Sequence, residues 1–123
     1  LAGTQRARTP QFFLSDEDKE AMAGQLVAQT IFVMERTASI ADAPLADDFI
    51  DILARAAAVM LAADTNLKTP GKRRAGAETV AAHILRHMSR YRAEETETGV
   101  YTIHRMLADN PIPDALRKAW EDS

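Results

Sequence analysis

The chain has 123 residues, of which 46% are hydrophobic, with a formal net charge of −3 and no cysteine. That length fits one domain, and because 23 of the apolar residues are alanine, the large apolar side chains suffice for one modest core. The absence of cysteine excludes disulfide scaffolds, thiolate metal sites, iron–sulfur clusters and cysteine nucleophiles, and the longest uncharged run, residues 21–34, holds Gln25, Gln29 and Thr30 and is too short and too polar to span a bilayer.

Residues 1–14 read as a flexible N-terminal arm, and residues 15–123 as a single helical domain. The arm carries Arg6, Arg8 and Pro10, has no apolar core of secretory-signal type, and ends in an apolar anchor, Phe12-Phe13-Leu14. Ser15-Asp16-Glu17-Asp18 is a helix start, with a capping hydroxyl and acids against the positive end of the helix dipole. The first helix is predicted from about Asp16 to about Ser39, with Met22, Leu26, Val27, Ile31, Met34 and Ala38 at helical spacing. Within it Ile31-Phe32-Val33-Met34 is apolar on every side. A helix apolar all round is buried all round, so this run is expected at a protein interface or at the centre of the bundle.

Ala41-Asp42-Ala43-Pro44 is the next break, since proline fits a first helical turn. The second helix is predicted from Leu45 to about Asp64, with Leu45, Phe49, Ile52, Leu53, Ala56, Val59, Met60 and Ala63 as one buried stripe. Asp51 and Arg55 stand one turn apart and fit an ion pair. After the loop Asn66 to Gly71, Thr69-Pro70 fits a cap and first turn, although Gly76 blurs the start. The third helix then runs from about Ala77 to about Glu95, with Val80, Ile84, Leu85, Met88 and Tyr91 as its apolar seam. Thr96 to Gly99 reads as a hinge. Val100 to Ala108 reads as a short helix, with a β-branched start that leaves a strand as the alternative. Asn110-Pro111-Ile112-Pro113 is a rigid elbow, and Asp114 to Glu121 is a last short helix with Leu116 and Trp120 on one face. The fold class is therefore all-α: an irregular bundle of three long helices and two short C-terminal ones.

Charge is segregated along the chain. Residues 1–14 carry +2, residues 15–67 carry −7, residues 68–92 carry +6 and residues 93–123 carry −4. Lys72, Arg73, Arg74, Arg86 and Arg90 are the candidate surface for an anionic partner, such as a phosphate ligand or nucleic acid. The competing expectation, and the favoured one, is that Arg86 and Arg90 are neutralised by Asp48, Asp51 or the Glu94-Glu95-Glu97 cluster, within the fold or across a dimer. The acidic total argues against a dedicated nucleic-acid domain, and the long link between the second and third helices does not fit a helix-turn-helix.

No catalytic constellation is present. The serines lack a nucleophile elbow, and the five glycines form neither a phosphate loop nor a dinucleotide fingerprint. His83 and His87 are one turn apart, a metal-like spacing, but no acid follows His83, a third ligand would have to come from Glu94 or His104, and Arg86 and Arg90 oppose a cation. Asp47-Asp48 with Asp51 reads as a favourable acidic first turn, and Glu35 as an acid paired with Arg36 or an arginine of the third helix. The five methionines read as core fillers, or as the lining of an adaptable apolar pocket.

These features lead to the expectation of a small, non-enzymatic, cytoplasmic regulatory or adaptor-type protein. It would act through a protein–protein interface, as a homodimer or with another protein, with no cofactor, no metal and no membrane. Binding of nucleic acid or a phosphate ligand through residues 68–92 is one alternative. A helical bundle that binds or transforms a small molecule in an apolar pocket is the other.

Overall fold

The computed structural model describes residues 12–38 and 46–121. The chain is all-α: 82% of these residues are helical, in five helices, with no strand among them. They are α1 (Asp16–Ala38), α2 (Ala46–Ala62), α3 (Pro70–Thr98), α4 (Thr102–Asp109) and α5 (Asp114–Glu121). The predictions for residues 1–11, for Ser39, for the break Ala41 to Pro44 and for Leu45 lie outside the described residues.

Local chemistry sets the helix ends. The Ser15 hydroxyl accepts from the Asp18 N–H at 3.0 Å, and Asp16, Glu17 and Asp18 fill the first turn of α1, where the dipole favours negative charge. The Thr69 hydroxyl accepts from the Lys72 N–H at 3.2 Å, with Pro70 in the first turn of α3. The helix begins there, seven residues ahead of the expected start at Ala77, and runs through Gly76, whose cost the capped first turn offsets. The Thr96–Thr98 segment is also helical, which corrects its reading as a hinge. Thr96 and Thr98 turn their hydroxyls back to the Arg92 and Glu94 carbonyls, at 2.9 Å each, and so join the helix instead of competing with it. Only Gly99, at φ 74°, ends α3, donating its N–H to the Glu95 carbonyl. Val100 and Tyr101 are extended rather than helical, so the short fourth helix starts at Thr102.

Three contacts organise the chain: α1 against α4, α2 against α3, and α3 against α4. Ala28, Phe32 and Met106 are the buried hydrophobic residues among those described. They lie where α1 crosses α4, beside buried Gly24. A Cβ on Gly24 would stand 2.5 Å from the Asn110 side-chain nitrogen, and that nitrogen donates to the Met106 carbonyl at 2.8 Å. Glycine is therefore what lets α1 approach the end of α4. At the α2–α3 corner, Leu67 and Leu61 lie against Gly76.

The buried stripe predicted for α2 is narrower than expected. Phe49, Leu53, Ala57 and Leu61 are half-buried, whereas Ile52, Ala56, Val59, Met60 and Ala63 are exposed. On α3 the half-buried line is Gly76, Val80, His83 and Tyr91, while Ile84, Leu85 and Met88 are exposed. One i+4 ridge of each helix meets a neighbour, and the apolar residues beside that ridge do not. The expected anchor at Phe12 to Leu14 is not buried either: Phe13 is 94% exposed and Phe12 60% exposed, with the Lys19 ammonium 3.7 Å from the Phe12 ring centre.

Candidate functional site

Four surfaces carry the chemistry of this chain. The first is a polar knot joining α1, α3 and α4. The Glu20 carboxylate accepts from the Tyr91 hydroxyl at 2.7 Å and from Arg90 at 3.2 Å, and lies 3.7 Å from Arg105. Arg90 also lies 3.6 Å from Glu94, and Arg105 lies 3.9 Å from Asp109. Burial works against the charged Glu20. The hydrogen bonds from Tyr91 and Arg90 and the charges of Arg90 and Arg105 outweigh it and hold its pKa below the ordinary 4.5. Burial, reinforced by the bond to Glu20, pushes the Tyr91 hydroxyl up. His87 lies 3.2 Å from Arg90, and burial together with Arg86 and Arg90 keeps its pKa below 6.5.

The second surface is an open apolar groove of about 560 Å³ between α1, α2, α3 and α4. Val27 and Ile31 of α1, Phe49 and Ile50 of α2, Met88 of α3 and Met106 of α4 line it. Tyr91, Arg92 and Glu95 stand at its polar edge. Glu35 and the histidines, the groups that would mark a reactive pocket here, are not in its lining.

The third surface is the basic segment. Arg90 is engaged with Glu20 and Glu94, so its expected neutralisation comes from α1 and from its own helix, and not from Asp48 or Asp51. Asp51 pairs with Arg55 at 2.9 Å. Arg73 donates to the Lys68 carbonyl at 3.0 Å. Among the described residues, Lys68, Lys72, Arg73, Arg74 and Arg86 make no ion pair. The segment is thus divided. Lys68, Lys72, Arg73 and Arg74 sit at the α2–α3 corner, while Arg86 and Arg90 lie roughly 20 Å further along α3 at 1.5 Å per residue.

The fourth surface is the outer face of α2. Residues 56–63 are eight consecutive apolar residues, yet no residue of α2 is buried. Val59 is 67% exposed and Met60 72% exposed.

The run expected at an interface, Ile31 to Met34, is placed differently. Phe32 is buried and Ile31, Val33 and Met34 are half-buried within the chain itself. Glu35 is exposed and makes no ion pair among the described residues, and its neighbour Arg36 lies over the Phe32 ring, 3.6 Å from its centre. His83 and His87 gain no third ligand: no group of three or more His, Asp or Glu residues among those described could hold a metal ion. No helix among the described residues is long and apolar enough to cross a membrane. The knot around Glu20 has no signal in the sequence, since its partners lie about seventy residues away. The outer face of α2 has one, the unbroken uncharged run at residues 56–63.

No family model matches the sequence, and comparison with curated proteins and with solved structures gives no match.

Proposed function

We propose that this chain is a small non-enzymatic protein that acts through a protein–protein interface. The observation that carries this reading is the imbalance between its core and its surface. Ala28, Phe32 and Met106 are buried, while Ile50, Val59, Met60, Ile84, Leu85 and Met88 are all more than half exposed. Isolated exposed apolar residues are ordinary, but six on two helices packed against each other, α2 and α3, support an association surface. The acid–base groups support the same reading. The ionisable residues with shifted pKa values belong to one network, in which each is bonded to or faces a charged neighbour, as in a structural tie and unlike a reactive centre left open to substrate.

Anion binding is the weaker reading, because the basic side chains are split between two ends of α3 and Arg90 is already engaged by two carboxylates. The test is photo-crosslinking in the source cell, with the reactive group placed at exposed Met60 and, as a control, at exposed Lys118 on α5. Adducts of discrete mass at position 60 and none at position 118 are expected. Absence of any adduct at position 60 would remove the reading.

A further inference from the structure

We infer that the partner of the α2 face is a second copy of this chain, docked antiparallel about a two-fold axis near Ala56. This rests on the interface reading above and names its occupant. Ile52, Ala56, Val59, Met60 and Ala63 follow one another at i, i+4, i+7, i+8 and i+11, the spacing of a single helix face, and all are exposed. Ala56 lies midway between Ile52 and Met60. With the axis at Ala56, the two alanine methyl groups meet and let the backbones approach. Ile52 of each copy then packs against Met60 of the other, so the face is complementary to itself, as an isologous contact requires.

Charge selects this orientation. The first turn of α2 holds Asp47 and Asp48, which make no ion pair among the described residues. Beyond the C-terminal end of α2 lies the corner with Lys68, Lys72, Arg73 and Arg74, equally without ion pairs among the described residues. The corner's own acid, Asp64, is turned onto the Asn66 N–H at 2.9 Å. Antiparallel docking sets the acidic turn of each copy beside the basic corner of the other, twice over. Parallel docking sets like charge on like charge, which interfaces avoid. A face the length of α2, about 25 Å, supplies several hundred Å² per copy. The two charged ends bring the contact toward the roughly 800 Å² per partner of a standard interface.

The experiment is sedimentation equilibrium at micromolar concentration on the wild type and on charge-exchanged variants. The wild type should have twice the 13.5 kDa chain mass. Met60→Glu should be monomeric with unchanged helical circular dichroism, since Met60 touches little within its own chain. The pair Asp47→Lys with Asp48→Lys should weaken self-association by about tenfold or more, and so should the pair Lys68→Glu with Lys72→Glu. An equimolar mixture of these two variants should associate more tightly than either variant alone, because one end of the mixed pair regains its full complement and the other is no longer repulsive. Misfolding cannot produce that gain. A monomeric wild type, a dimer that survives Met60→Glu, or a mixture no tighter than either variant alone would overturn the inference. A monomer whose position 60 crosslinks to a protein of another mass removes only the second copy as partner. A monomer with no adduct at all removes the interface reading with it.

Discussion

At residue 24 the α4 terminus leaves no room for a methyl group. Replacing an exposed helical glycine by alanine ordinarily stabilises by close to 1 kcal/mol. Here the added Cβ meets Asn110, whose side chain is fixed by the Met106 carbonyl, so Gly24→Ala should instead cost about 1–3 kcal/mol. Urea denaturation checks the sign, and the same substitution in an Asn110→Ala background should become neutral or stabilising. The Glu20 knot gives a second test. Its carboxyl pKa is lowered in the folded chain, so its contribution to stability is present above pH 4.5 and is lost as pH falls through the lower folded value. Tyr91 has its pKa raised above 10.0, so its contribution is complete below pH 10 and fades as pH rises through the folded value. Tyr91→Phe should cost about 1 kcal/mol, the low end for a hydrogen bond to a charged group at a half-exposed site. The Glu20 titration followed by NMR should move upward in that variant.

At the scale of the element, helix ends were more legible in the sequence than helix faces. Ser15 announces the start of α1 because a cap is a local interaction, complete within four residues, whereas Gly76 obscured the cap at Thr69 and put the expected start of α3 at Ala77, seven residues late. Thr69→Ala should lower stability by about 1 kcal/mol, and Thr69→Asp should largely restore it. The hinge at Thr96 to Thr98 misled because threonine favours both caps and helix-side back-bonding, and only the geometry shows which carbonyl the hydroxyl reaches. The faces misled for a different reason. Apolar spacing shows which residues seek burial but does not identify what buries them, and the predicted stripe of α2 mixed a ridge that meets α3 with a face left exposed among the described residues. Phe49→Ala and Leu53→Ala should each cost about 1–2 kcal/mol in urea denaturation. That is below the 2–5 kcal/mol typical of fully buried sites, because both side chains are half-buried. The Glu20 knot was illegible since it joins residues about seventy positions apart, and nothing in local sequence encodes such a pairing.

For the whole molecule, segregated charge and an all-helical pattern were readable from composition and spacing alone, and how openly the helices are arranged was not. The buried core among the described residues is small, which implies low stability for a lone chain, since apolar burial supplies most of the favourable free energy of folding. In the proposed dimer, association adds to folding by mass action. The thermal midpoint should accordingly rise with protein concentration, and should be independent of concentration in Met60→Glu. Scanning calorimetry over a hundredfold dilution series checks both.

Glu95 acts at both sides of the α3–α4 junction. Its carbonyl receives the Gly99 N–H, and its carboxylate receives the Thr102 N–H at 2.9 Å. One residue thus closes the end of one helix and opens the next, and fixes the angle between them. Because α1 lies on α4 and is tied to α3 through Glu20, these three helices share one set of contacts. The α2–α3 corner, where Leu61 and Leu67 bear on Gly76, is where α2 joins them. The groove is therefore bounded by a three-helix block on one side and by α2 on the other, and widening it would strain the corner at Gly76 while leaving the Glu20 ties intact.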